Sequence, residues 1–200
     1  MWVVKLGGSL TADADLPRWL ELLTHLGSGR VAIVPGGGTL ADEVRRLQGT
    51  WQFDDLAAHN MAVLAMAQTA YLMQALQSAL YLATDEPLIT SALRRGKTAL
   101  WCPLNQLRSA ADATTNWSYT SDSLALQLAE RLNAERLVVV KRVPAGGRSL
   151  AQLCQDGVLD APFANLAQRA SFPIHVLASH QCDDMRNLLL GQRTPPASGQ

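Results

Sequence analysis

Short apolar runs, many of them β-branched, alternate along the chain with longer stretches in which leucine recurs every three or four positions. The run Trp2-Val3-Val4-Lys5-Leu6 predicts a first strand. Leu16, Leu20, Leu23 and Leu26 then share one helical face, and Gly27 closes it. Residues 31–35 predict a second strand, followed by Gly36-Gly37-Gly38 and a helix over about 39–47. Asp54 or Asp55 caps a long helix that runs towards Ala83. Weaker strands are expected near 87–90 and 99–103. Leu124, Leu128 and Leu132 mark a helix that Thr120 or Ser121 would cap. Residues 136–141 are the clearest strand of the second half, 172–179 give a late strand and 183–191 a last short helix.

Strand–helix alternation of this kind predicts a mainly parallel sheet with helices on both faces, a three-layer α/β/α sandwich. A single domain over 1–193 is expected, with 194–200 a disordered tail. Ligands of such sheets bind beyond the carboxyl ends of the strands. Both glycine clusters fall there: Gly7-Gly8-Ser9 after the first strand, Gly36-Gly37-Gly38 after the second. The helix over 55–83 is apolar nearly all round. Such a helix is buried, either at the centre of the core or with half its surface against a second subunit.

Composition narrows the function classes. The 200 residues are 48% hydrophobic, and 17 Lys plus Arg balance 17 Asp plus Glu. A balanced chain lacks the basic footprint of a nucleic-acid or anionic-membrane binder. Three glutamines interrupt the most apolar stretch, which argues against a membrane span. Cys102, Cys154 and Cys182 show no metal or disulfide spacing. With no basic and apolar leader at the start, a cytoplasmic protein is expected.

The chemistry concentrates at the strand ends. A lysine closing a strand commonly reaches for solvent along its apolar stem. Lys5, however, is followed at once by Gly7, Gly8 and Ser9. Consecutive amides there would form an anion-binding concavity beside an ammonium, a site for phosphate oxygens. Gly36, Gly37 and Gly38 imply close approach of a ligand to the backbone. Asp122 suits the first turn of its helix as a partner of the macrodipole. It also stands where it could orient reacting groups, for instance by accepting from Lys5. A second strand-end lysine, Lys141, could reach nucleotide phosphates.

The stretches "VVKLGGSL", "VAIVPGGG" and "TSDSLALQLAERLNAERLVVVK", with Gly191 after the last helix, resemble the amino acid kinase superfamily in the family's order. "WSYTSDSLA", "AAHNMAVLAMAQ" and "VVVKRV" are similar to its small archaeal and methylotroph branch, which includes the kinase of methanofuran biosynthesis. The resemblance implies phosphoryl transfer from ATP with Mg²⁺, with Lys5, Asp122 and Lys141 at the reacting groups. Gly7, Gly8, Ser9 and Ser121 would join Lys5 and Lys141 around the ATP phosphates. Gly36, Gly37, Gly38, His59 and Thr120 would contact the acceptor, with Asn60 a further donor. The branch implies a small phosphomonoester acceptor that becomes a diphosphate, in C1 metabolism. The apolar helix over 55–83 separately leads us to expect a homo-oligomer, a dimer or higher, formed through it. His59 reads equally as a packed helix residue, and Trp117 as core or as the wall of a ring-binding pocket. Lys141-Arg142-Val143-Pro144 stands where many members carry an acidic nucleotide-binding segment, and Ser118 where the branch has an acidic residue. A non-catalytic nucleotide or oxyanion binder, or a kinase with a carboxylate acceptor, are the alternatives on the same scaffold.

Overall fold

The computed structural model describes residues 1–192. In chain order the elements are β1 (Trp2–Leu6), α1 (Leu16–Leu26), β2 (Val31–Pro35), α2 (Gly38–Trp51), α3 (Asp55–Leu76), β3 (Tyr81–Ala83) and α4 (Glu86–Arg94). They continue as β4 (Ala99–Trp101), α5 (Ser121–Arg131), β5 (Arg136–Lys141), α6 (Leu150–Gln155), α7 (Phe163–Ala167), β6 (Ile174–Ala178) and α8 (Cys182–Leu189). Two short 3₁₀ helices lie at Gly8–Ala12 and Leu104–Gln106.

All strand pairs are parallel, in the order β3-β4-β2-β1-β5-β6. From β1 the chain moves to β2 beside it, goes out to the edge strand β3, and returns to set β4 between β3 and β2. It then crosses back to place β5 on the other flank of β1. The reversal puts a crevice at the carboxyl ends of β1 and β5, where open parallel sheets bind ligands. Alternation along each strand feeds two cores. Val3, Val34, Val139 and Leu137 pack with α5, α6 and α7, whereas Val4, Leu6, Ile33 and Val138 pack with α1, α8 and part of α3. The three expected layers are present.

Three boundaries differ from expectation. Residues 87–90 are helical, because Asp85 accepts from the Leu88 amide as N-cap and Pro87 sits in the first turn of α4, where its missing N–H costs nothing. The long helix α3 is capped by Asp54, as its sequence suggests, but ends at Leu76; Tyr81–Ala83 forms the edge strand β3 against β4. Helix α2 runs past residue 47 to Trp51 and stops at Gln52 in the left-handed conformation. The expected tail at 194–200 lies outside the described residues. Among the described residues no helix is long and apolar enough to cross a membrane.

Candidate active site

Strand parity decides where the two strand-end lysines point. Lys5 shares a sheet face with Val3, and Lys141 shares that face with Val139 and Leu137. The β1–β5 register sets Lys5 opposite Val139, so Lys141 lies one pleat further along. Helix α5 covers this face, and its first turn carries Asp122. Lys5 Nζ lies 2.7 Å from Asp122 Oδ1, and Lys141 Nζ lies 2.6 Å from Asp122 Oδ2. One carboxylate therefore bridges two ammonium groups. Lys5 and Asp122 are 2% and 1% exposed; Lys141 reaches partly into solvent. Burial opposes ionisation of Asp122, but the charges of Lys5 and Lys141 outweigh it and hold the carboxyl below its ordinary range. Burial pulls the Lys5 pKa below its ordinary value, against the attraction of Asp122.

The glycine clusters meet each other. A Cβ on Gly8 would lie 2.0 Å from the Gly38 nitrogen, and one on Gly36 would lie 2.3 Å from the Gly8 nitrogen. Only side-chain-free backbone fits at this crossing, and Gly38 also adopts φ +56°. Gly7 donates to Val140 O at 3.0 Å, tying the first turn to β5. The chain then enters the 3₁₀ helix at Gly8. Among the described residues no backbone acceptor meets the amides of Gly8 or Ser9. These amides stand beside Lys5, whose Nζ would be 3.7 Å from a Cβ on Gly7.

The start of α5 is anchored from a distance. Asp160, buried in the turn before α7, accepts from Thr120 N (2.8 Å), Thr120 Oγ1 (2.5 Å), Ser123 N (3.0 Å) and Ser123 Oγ (2.7 Å). It takes the role that the Thr120 side chain was expected to fill at the N-cap, since Thr120 makes no cap of its own. Asp160 thereby fixes the turn that aims Asp122. No local pattern in the sequence marks it.

A cavity of about 270 Å³ opens over these strand ends. Lys5, Gly7, Gly8, Ser9, Lys141 and the α5 start at Thr120 and Ser121 line one side of it. Gly37, Gly38 and His59 line the other. Gly36 is buried behind Gly8 and serves the glycine crossing rather than the cavity wall. The loop between β4 and α5 forms the roof, and α3 holds it down. Asn60 Nδ2 donates to Arg108 O and Asn60 Oδ1 accepts from Arg108 N, both at 2.9 Å. Asn60 is thus committed to the loop backbone rather than held out to a ligand. His59 Nε2 lies 3.1 Å from Gln106 O, which fixes an Nε2–H tautomer, and burial lowers its pKa. His59 is therefore packed against the loop and also lines the cavity. Trp117 is half-buried in the wall rather than in either core.

A model of the amino acid kinase family matches residues 1–145. Over 146 residues the chain is 27% identical to (5-(aminomethyl)furan-3-yl)methyl phosphate kinase of Methanocaldococcus jannaschii. That match covers 72% of this chain and 66% of the length of that relative. Among solved structures, uridylate kinase from Archaeoglobus fulgidus has a TM-score of 0.72 at 17% identity, covering 99% of this chain and 97% of that one. Isopentenyl phosphate kinase has a TM-score of 0.67 at 14% identity, covering 97% and 98% of the two chains. At these identities the solved structures establish a common fold.

Proposed function

The chain belongs to the amino acid kinase family, and from that premise we propose that it transfers the γ-phosphoryl group of ATP to a small phosphomonoester, giving a diphosphate and ADP. The observation that carries this reading is the buried Lys5–Asp122–Lys141 bridge at the rim of the sheet, next to two unpartnered amides. An acceptor phosphate oxygen attacks the γ-phosphorus as the bond to the bridging oxygen of ADP breaks. Phosphoryl transfer asks the protein mainly for positioning and for stabilisation of the equatorial oxygens. Lys5 and the Gly8 and Ser9 amides supply donors on one side, and Lys141 with Ser121 on the other. Asp122 holds both ammonium groups in register and needs to take no proton, because a phosphate acceptor is already ionised at neutral pH.

Among the described residues no group of three His, Cys, Asp or Glu side chains gathers as a metal site. Mg²⁺ would come with the triphosphate, as it commonly does, and would neutralise part of its charge. The acceptor would lie over β1 and β2, between the glycine crossing and His59. The archaeal relative is named for a furan-methyl phosphate, which supports a phosphate-bearing acceptor; the branch resemblance in the sequence adds a place in the synthesis of a methanofuran-like cofactor in C1 metabolism. The apolar surface that α3 leaves exposed at Leu64, Tyr71, Leu72 and Leu76 supports a homo-oligomer with a second copy on that face.

ADP release measured against a panel of small phosphomonoesters, amino acids and no acceptor tests the proposal. Stimulation by at least one phosphomonoester and not by amino acids is expected. Stimulation by amino acids alone, or ATP binding without turnover on any acceptor, would overturn it.

A further inference from the structure

One part of the cavity wall is held by a three-residue clamp. Trp117, on the roof loop, donates its indole N–H to Gln48 Oε1 at 2.5 Å. Gln48, on α2, donates through Nε2 to Phe53 O at 3.2 Å and to Asp55 Oδ1 at 2.9 Å. Every polar atom of that carboxamide is therefore used, and its orientation is fixed by complementary partners on three different segments. One turn earlier on α2, the Arg45 guanidinium lies over the indole, 4.4 Å from the ring centroid. A cation at that distance is attracted by the ring face and holds it in place. Arg45 and Trp117 both line the cavity. Across from them α3 presents Ala58 and Ala62 to the same space, side chains short enough to leave width for a ring.

With its N–H pinned and one face taken by a guanidinium, the half-buried Trp117 indole is a rigid flat surface in the cavity wall. We propose that Trp117, held by Gln48 and Arg45, selects an acceptor whose non-reacting end is a flat aromatic ring, with Gln48 as the positioning residue. This rests on the reading of the cavity as a phosphomonoester site. It adds which class of phosphomonoester is bound and which residues choose it.

Two esters of equal charge and similar size separate planarity from apolar bulk: benzyl phosphate and cyclohexylmethyl phosphate. Calorimetry without ATP gives their affinity ratio directly. Aromatic pairing beyond area burial corresponds to about a threefold to tenfold preference for benzyl phosphate. Trp117→Leu is expected to bring the ratio to about one, and Gln48→Met to below about twofold, with ATP affinity unchanged in both. A general loss of structure would instead weaken both esters and ATP together. The proposal is overturned by a wild-type ratio of one or less, by failure of both esters to bind, by a ratio that survives Trp117→Leu, or by parallel loss of all three ligands in Gln48→Met. If Trp117→Leu does not fold, the wild-type ratio and Gln48→Met decide. Binding is read without turnover, so the ratio stands or falls independently of catalysis; turnover with a ratio of one would overturn the clamp and leave the kinase.

Discussion

One carboxylate divided between two ammonium groups is an unequal arrangement, and the inequality makes it testable. Asp122 is fully enclosed, so its removal strands charge that burial cannot screen. Breaking a buried pair by neutralising one partner typically costs about 3–5 kcal/mol. Asp122→Asn should lose stability on that scale in urea denaturation, and turnover with it; a loss under about 1 kcal/mol would mean the two lysines find other partners. Lys5 makes a second prediction through its pKa. In the proposed reaction it works as an ammonium, and burial moves its pKa below the ordinary 10.5. As pH rises through that lowered value the positive charge disappears and the developing charge on the phosphoryl group loses a partner. The alkaline limb of kcat/KM for ATP, which reports the free enzyme, should therefore fall below pH 10.5. A limb at or above 10.5 would show that Lys5 is not the group observed.

Helix α5 illustrates how an element can be legible while its anchor is not. Its leucine spacing, its polar start and the strand that follows are all plain in the sequence, and the structure places them at Ser121–Arg131 and Arg136–Lys141. Asp160 lies between two short helices that carry too few turns to show a period, so nothing local announces the four hydrogen bonds it accepts. Asp160→Ala removes the acceptor for the part-buried amide and hydroxyl of Thr120 and the buried pair of Ser123. It should lower kcat by at least about tenfold, as expected when the aim of a catalytic turn shifts by about 1 Å, while circular dichroism keeps the native spectrum. Unchanged kcat would show that α5 holds its start unaided. The same contrast explains α4 and β3. Asp85 and Pro87 are start signals for α4, but the apolar run at 88–89 competes with them; a three-residue edge strand is too short to show alternation. The glycines were read as places where a ligand nears the backbone. Gly7, Gly8, Gly37 and Gly38 do reach the cavity, whereas Gly36 serves the crossing of one glycine turn over the other, a contact between segments almost thirty residues apart that no single stretch reveals.

At the scale of the whole molecule, the strand order does the assembling. Crossing back over β1 brings Lys141 beside Lys5 although 136 residues separate them, and α5 crosses the same face to set Asp122 between them. The long helix α3 joins the cavity to the outside: Ala58, His59 and Ala62 face the cavity, while Tyr71 and Leu72 are 59% and 43% exposed. Apolar surface of that kind on a helix face marks an interaction site. Sedimentation should show a dimer or larger species that Tyr71→Glu with Leu72→Arg converts to monomer; a wild-type monomer at micromolar concentration would leave that face without a partner. The account as a whole turns on Lys5. Replacing it with methionine keeps the apolar stem and leaves Asp122 paired with Lys141, so the fold should survive. The decisive measurement is acceptor-stimulated ADP release by Lys5→Met beside its melting temperature. The account predicts a fall of about a hundredfold or more in kcat, the scale for losing one donor to a developing charge, with melting within a few degrees of wild type. Turnover within tenfold of wild type would contradict it.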